Sequence, residues 1–481
     1  MDRITLQTTA GKKTWQAFVE RRTGSSDPDS RRQDPLTLRV FGRPVTAREA
    51  VAEILSAVRN EGDNAVLRYV ERIDGLQTTA GGLRVSREEI AGARRRVPLA
   101  LQRALKTAAK HIGQYHRMQK AAVARPVVRP GVTLREISLP LERVGIYVPG
   151  GNAPLISTVL MNALPAAVAG VREIAMATPP GKDGRIPPSL LVAAELAGVR
   201  EIYRMGGAVA IAALAYGTQT VKPVAKIVGP GNVFVTEAKR QLVGRIGIDS
   251  LAGPSEILIL ADESANPENL LWDLLAQSEH GSGAVSLLLS PSETLLAHVA
   301  RAARELEIRA PEAGRALQSV AAVKVRSLEE GLRLANAYAP EHLSLQVRNA
   351  RACLGKIRRA GAVFIGAVTA QAMGDYVAGT NHVLPTSGTA AWASALSVRD
   401  FLHHFHAVEY TQAGLLAEGP AAIAIAEAEG LNGHAQSIRQ RMNAGSFLAN
   451  APLRGVKSFS NQPLEKKRLR RPKVAGSGRR S

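Results

Sequence analysis

The sequence predicts an α/β protein built on parallel, doubly wound sheets. Three observations predict it: short apolar runs alternate with helix-period stretches from Val144 onward, glycine-rich turns follow several of those runs, and the alternation resumes at Ile257.

The elements read in order. From Thr46 to about Lys120 the chain is helical in pattern, with apolar residues at helical spacing over Arg48 to Val58 and an Ala, Leu, Arg and Lys-rich stretch over Arg87 to Lys120. Val144 to Val148 is then a compact apolar run ending in Pro149-Gly150-Gly151, followed by a helix from Thr158 to Ala169 and a strand from Glu173 to Thr178. A second cycle runs through a helix from Leu190 to Ala197, a strand from Arg200 to Arg204, a Gly206-Gly207 turn, a helix from Ala208 to Tyr216 and a strand from Ala225 to Val228. Gly229-Pro230-Gly231-Asn232 closes that strand before a helix from Val235 to Val243. Loops at the carboxyl ends of such strands form the usual ligand crevice.

A second sheet domain is expected from Ile257. Strands read at Ile257 to Leu260, Ala284 to Leu289, Ala322 to Val325, Leu343 to Val347 and Ala362 to Ile365, with helices at Pro267 to Glu279, Glu293 to Ala310, Leu328 to Ala339 and Asn349 to Arg359. A strand at Ala407 to Tyr410 and helices at Ala413 to Ala428 and Asn432 to Met442 follow. No internal repeat exists beyond this alternation.

Composition bounds the function. With 481 residues, 45% hydrophobic and 21% charged, the chain can bury more than one core. MDRITLQTTAGKKTW has no apolar signal region and no apolar run reaches about 18 residues, so the expectation is a cytoplasmic protein with no membrane partner. Cys353 is the one cysteine, which excludes an internal disulfide and a thiolate-rich metal site; a metal would take His, carboxylate or amide ligands. The net charge of +21 points toward anions, but a dense block of it lies in LEKKRLRRPKVAGSGRRS after Pro463, and aromatics are only 4%. That segment reads as a solvated, disordered tail, with non-specific nucleic-acid contact as the other reading.

Several side chains could carry chemistry. None of the three glycine turns has the G-x-G-x-x-G spacing, and tight turns alone would explain them, yet three on one sheet edge suit an anionic cofactor. Gln277 and His280, at i and i+3, share a helix face; a capped helix end is the bland alternative. Adjacent Glu341 and His342 can divide general acid and base work, unless they merely form a surface turn. Asp375 with His382, and Glu429 with His434, supply further carboxylates and imidazoles. Gln277, His280, Asp375 and His434 would together make a reasonable zinc site, though spacing does not show that they meet. His403, His404 and His406 read as surface histidines.

From about Thr46 to Met442 the chain resembles the histidinol dehydrogenase family, through VGIYVPGG, VLMNALPAAVAGV, KIVGPGNVFVTEAKR, IDSLAGPSEILI, LLAQSEHG, NAYAPEHLSL, MGDYVAGTNHVLPTSG, LSVRDF and EGLNGHA in order. The resemblance implies NAD and one zinc ion per subunit, held by Gln277, His280, Asp375 and His434. It implies L-histidinol as substrate, zinc orienting its imidazole and amino groups and NAD accepting the hydrides. It also implies His342 as the base for the alcohol, Glu341 as the activator of water, Ser255 and Glu429 as substrate contacts, and Tyr147 and Asn232 as cofactor contacts.

The implied fold has two related, incomplete Rossmann-like domains with small terminal domains in a domain-swapped homodimer, where Glu429 and His434 serve the partner's site. The corresponding division is an N-terminal segment 1–45, a discontinuous first α/β domain 46–143 and 257–396, an NAD-binding domain 144–256, a helical domain 397–449 and a tail 450–481. Three departures stand out: Leu155-Ile156-Ser157 replaces the usual Tyr-Pro-Ser, Val209 replaces a usual Gln at a cofactor-contacting position, and Ala370-Gln371 replaces Pro-Glu. A dehydrogenase of another small alcohol, such as a sulfonated propanediol, and a catalytically reduced binding paralogue remain the alternatives.

Overall fold

A computed structural model describes residues 2–5, 35–120, 125–150, 154–280, 283–312 and 320–443, with single positions 13, 15, 16, 19 and 317. The expected tail over 450–481, and Gly151 of the first glycine turn, lie outside the described residues. The chain forms two compact units, one of 1–123 with 138–405 and a smaller one of 124–137 with 406–481.

The strands in chain order are β1 Asp2–Thr5, β2 Val127–Arg129, β3 Val132–Pro140, β4 Arg143–Tyr147, β5 Glu173–Thr178, β6 Glu201–Arg204, β7 Lys226–Val228, β8 Gly247–Ile248, β9 Glu256–Ala261, β10 Val285–Ser290, β11 Val320–Lys324, β12 His342–Gln346, β13 Ala362–Ile365 and β14 Leu402–Tyr410. One sheet has the order β6-β5-β4-β7-β8 and the other β1-β11-β10-β9-β12-β13. Every pairing in both is parallel. Counted from β4 and from β9, each runs 3-2-1-4-5, the dinucleotide-fold order short of its sixth strand. After a charged first residue, Arg143 in β4 and Glu256 in β9, both runs carry no charged residue because both faces of a parallel sheet are covered, and every residue of each strand is buried.

The structure differs from the sequence reading at intelligible places. The helical stretch after Arg87 splits into Arg87–Ala93 and Leu99–Met118, with Pro98 at the start of the second helix. The helix expected from Asn349 to Arg359 shrinks to Ala350–Leu354, ending at Gly355. β1, from the N-terminal segment, adds a parallel edge strand beside β11. Helices Ala47–Glu61 and Asp63–Asp74 lay Val51, Ile54, Val66 and Tyr69 against Ala175, Ala177, Tyr203 and Ile211 of the first sheet region. His403, His404 and His406 fall on β14, all three exposed. In the smaller unit, β2 pairs antiparallel with β3, and helices Gln412–Ala428 and Asn432–Asn443 pack together. Among the described residues, no helix is long and apolar enough to cross a membrane.

Gly229 shows how tightly the turn after β7 is set. Its φ is +115°, and a Cβ there would lie 2.1 Å from the Tyr147 carbonyl oxygen, a backbone atom that cannot swing aside. Its N–H donates to Asp249 Oδ2 at 2.7 Å, its carbonyl accepts from Lys239, and Lys239 pairs with Asp249 at 2.7 Å with both side chains buried. Gly229→Ala should therefore cost more than ~1 kcal/mol, the scale set by a Gly→Ala change at a compatible site. The urea midpoint of unfolding measures this, and an unshifted midpoint would show that the turn tolerates a side chain.

Candidate active site

The chemistry-bearing residues of the second sheet gather at the amino ends of β9 and β12, which are neighbours in register. The chain reaches Glu341 through a turn with Ala339 at φ +52° followed by Pro340, so a carboxylate and an imidazole arrive together at the strand's first buried positions. Glu341 Oε2 accepts from the Ser255 hydroxyl at 2.7 Å and from the Glu256 N–H at 2.8 Å. Ser255 Oγ in turn accepts from Gln277 Nε2 at 2.8 Å, which fixes the amide of a residue at the end of helix Pro267–Ser278. His342 Nδ1 lies 2.9 Å from the Glu256 carbonyl oxygen. That carbonyl can only accept, so Nδ1 carries the hydrogen and Nε2 is left as the basic nitrogen.

Burial sets the electrostatics. It pushes the Glu341 carboxyl up to about 7, against the hydrogen bonds from Ser255 and Glu256 and the attraction of His280, with Asp375 pushing the same way as burial. Burial also holds His342 below the usual imidazole range, opposed by Asp375. His280 and Asp375 are thus near enough to act on both members of the pair. A protonatable carboxylate and a neutral imidazole side by side are what alternating proton transfers near pH 7 require.

Asp375 lies in the short helix Ala372–Tyr376, where its Oδ2 accepts from Gln371 Nε2 at 2.8 Å. Gln371 is buried, so the departure from the usual Glu replaces a second carboxylate with a donor that holds Asp375 in place. His382 Nδ1 lies 3.2 Å from the Asp375 carbonyl oxygen, and burial drives this imidazole down to about 4. Gln277 Oε1 is buried with no hydrogen-bond partner, because Nε2 is the end turned to Ser255. An orphaned amide oxygen close to an imidazole and a carboxylate fits a divalent cation, and the all-N/O donor set suits zinc. Among the described residues, no three His, Cys, Asp or Glu side chains form a group that could hold a metal ion. Glu429 and His434 lie in the smaller unit, one ending helix Gln412–Ala428 and the other within Asn432–Asn443, both exposed.

At the carboxyl end of the first sheet, a cavity of about 160 Å³ is lined by Tyr147, Gly150, Gly206, Gly207 and Asn232. Tyr147 Oη accepts from the Gly207 N–H at 3.0 Å, and burial pushes its hydroxyl up to about 12. Asn232 caps helix Val233–Leu242 through Oδ1. Val209 does not line this cavity; its side chain is buried in the helix Gly207–Tyr216 core, and Leu155 is exposed. Glu256 and Tyr338 were missed by sequence reasoning. Glu256 accepts from Tyr338 Oη at 2.9 Å and from the Glu341 N–H at 3.3 Å, and an acid opening the otherwise apolar run Glu256–Ala261 was the available signal.

The sequence model of the family described as histidinol dehydrogenase matches residues 42–442. The chain belongs to the histidinol dehydrogenase family. It is 49% identical over 403 residues to the histidinol dehydrogenase of Moorella thermoacetica, covering 82% of this chain and 95% of that one. It is 46% identical over 398 residues to that of Gluconobacter oxydans, covering 82% and 92%. The crystal structure of histidinol dehydrogenase from Elizabethkingia anophelis superposes with a TM-score of 0.82 at 34% identity, covering 92% of this chain and 98% of the other. Histidinol dehydrogenases are NAD-dependent oxidoreductases of histidine biosynthesis that use Zn2+, and Gln277 Oε1 is the feature of this chain that fits the metal.

Asp375 is an expected zinc ligand, so removing the donor that holds it should loosen the metal without replacing the ligand itself. Gln371→Leu is expected to weaken zinc binding by roughly 10–100-fold, the usual cost of losing a residue that orients a ligand. Zinc retained against a graded chelator series measures it, and an unchanged retention curve would remove Gln371 from that role.

Proposed function

We propose that this chain catalyses the four-electron oxidation of L-histidinol through L-histidinal to L-histidine, with Glu341 and His342 moving the protons in two successive dehydrogenations. The observation that supports it most is the pairing of a carboxylate poised near neutrality with an imidazole whose Nε2 is left basic, beside the orphaned oxygen of Gln277. When bound, zinc supplies a Lewis-acid anchor for the substrate's imidazole and amino nitrogens, and NAD the acceptor for each hydride. Gln277, His280 and Asp375 would hold the metal together with His434, and Tyr147 and Asn232 would contact the cofactor.

His342 Nε2 takes the alcohol proton as the carbon–hydrogen pair of electrons leaves as hydride, giving the aldehyde. Glu341, as carboxylate, takes a proton from the water that adds to that aldehyde, while the protonated His342 returns its proton to the former carbonyl oxygen, giving the diol and a neutral His342. His342 then takes a proton from the diol as the second hydride leaves, and the carboxylate of the product results. Ser255 holds Glu341 in place and, with Glu429, contacts the substrate.

Glu429 and His434 reach this site from the neighbouring subunit of a homodimer in this reading, with the segment 397–449 as the exchanged part. One observation supports it: both residues are exposed on their own unit, close in sequence to the uncovered apolar side chains Ile425 and Leu431.

A raised carboxyl pKa means that Glu341 is protonated, and unable to accept from water, below about 7. Aldehyde oxidation should therefore rise with pH through about 7, and Glu341→Gln should flatten that limb and slow the aldehyde half-reaction by roughly 10²–10⁴-fold, with much less effect on alcohol oxidation. Separate pH–rate profiles with histidinol and histidinal test this; equal losses in both halves would defeat the division of labour.

Subunit exchange tests the shared site. His342→Ala and His434→Asn should each be inactive alone, whereas heterodimers formed after mixing keep one intact site. An equal mixture should recover about a quarter of wild-type activity if subunits pair at random. No recovery, with exchange verified by mass, would place both residues in one subunit's site.

A further inference from the structure

The dinucleotide-fold order of the first sheet creates a specific gap. In that fold a carboxylate beyond the second strand accepts the ribose hydroxyls of an NAD-type cofactor. Here the second strand is β5, and it runs out into Thr178-Pro179-Pro180, with no acid at that position. A carboxylate does reach the same crevice, from another direction. Asp74 is the last residue of helix Asp63–Asp74, and Gly75, in the left-handed conformation, ends the helix and leaves the side chain in the wall of the 160 Å³ cavity.

The surroundings of Asp74 say what it can bind. Its Oδ2 accepts from the Gly206 N–H at 3.1 Å, in the turn after β6, so one oxygen is anchored on the sheet edge. The cavity lining holds no lysine or arginine; beside Asp74, the polar side chains include Tyr147 and Asn232, and Phe41, Ile54 and Phe234 are among the apolar ones. A phosphate here would face a carboxylate in a low-dielectric wall, and the nearby Arg39 guanidinium is already tied to the Ile73 carbonyl oxygen at 3.1 Å. Hydroxyls would instead donate to that carboxylate, while a flat heterocycle could rest on the apolar side chains. The cavity is smaller than the roughly 300 Å³ at which pockets for drug-sized ligands begin, so it takes one part of a dinucleotide. Burial pushes Asp74 up to about 6, against the Gly206 hydrogen bond and Arg39, so its ionised form lacks solvation that donated hydroxyls would restore.

We propose that Asp74 accepts the ribose hydroxyls of NAD and rejects the 2′-phosphate of NADP, making it the cofactor-specificity residue of this chain. The inference rests on the reading of Tyr147 and Asn232 as cofactor contacts. A helix outside the sheet supplies the acid that the second strand lacks, and the same oxygen that anchors the Gly206-Gly207 turn orients the carboxylate for the sugar.

Equilibrium titration with NAD and NADP, followed by calorimetry on the zinc-loaded enzyme without substrate, tests the assignment. Asp74→Asn keeps the shape and can still accept from the Gly206 N–H through its amide oxygen; Asp74→Ser is a second neutral variant, and Asp74→Glu retains the charge. Wild type should prefer NAD. Both neutral variants should cut the NAD-to-NADP affinity ratio by about tenfold or more, the scale of one charge-assisted hydrogen bond plus a relieved repulsion, and Asp74→Glu should keep most of the preference. Zinc content should not move. An unchanged ratio in either neutral variant with a wild-type unfolding midpoint overturns the proposal. Tyr147→Phe and Asn232→Ala separate the two failures: if they weaken NAD while the Asp74 variants leave the ratio alone, only the assignment of Asp74 falls, and if they too leave NAD binding intact, the cofactor reading of the cavity falls with it.

Discussion

The hydroxyl of Ser255 stands between an amide and a carboxylate, and the site is organised by that one position. Accepting from Gln277 and donating to Glu341, it decides which end of the amide faces away and which oxygen of the acid is held. With Nε2 committed, Gln277 must present its oxygen, a buried acceptor with nothing to accept from. With Oε2 committed twice, Glu341 keeps its geometry while burial raises its proton affinity. A buried acceptor and a buried acid are each costly alone. Leaving both in place is the kind of local cost that a binding or proton-transfer site carries and an inert core does not.

The two sheets share one strand order but use opposite ends. In the first, the cavity opens at the carboxyl ends of β4 and β7, where the order reverses and where such folds bind ligands. The corresponding place in the second sheet is closed. Asp262, just beyond β9, accepts from the N–H and hydroxyl of Ser264 and from the Arg348 N–H beyond β12, stitching together the loops that would otherwise part. Glu341 and His342 lie instead at the amino end of β12, beside that of β9. A shared topology therefore does not dictate a shared site; side chains at the strand ends decide which end opens.

Much of this was legible in the sequence. Parallel strands buried on both faces leave continuous apolar runs such as Glu256–Ala261 and Val285–Ser290, and these were found to within a residue or two. β1 and β2 are too short to show a period, and β1 gains its place by pairing with a strand more than three hundred residues away. Local pattern carries no trace of such partners. The amino-end placement was illegible for another reason: Glu341 and His342 look like turn residues until the register of β12 on β9 sets them against Ser255 and Glu256. Gln371 read as a loss, the removal of an acid, and only its 2.8 Å contact with Asp375 shows the replacement to be a donor.

The segment between β8 and β9 explains how the two ends work as one. Asp249 at its start is bound to the Gly229 N–H and to Lys239, beside the turn that ends in Asn232. Midway, the Ala252 carbonyl accepts from Thr236 and the Gly253 N–H donates to Thr386 Oγ1 at 2.6 Å. At its end Ser255 holds Glu341 and Gln277. Hydride transfer needs donor and acceptor atoms at roughly 3–3.5 Å, a tolerance that two separately packed sheets would not keep by themselves. Seven residues pinned at both ends and in the middle give the Gly229 turn and the Glu341–His342 pair a common reference, so a shift of that turn is passed to Ser255 through bonded and hydrogen-bonded neighbours rather than absorbed by a loose loop.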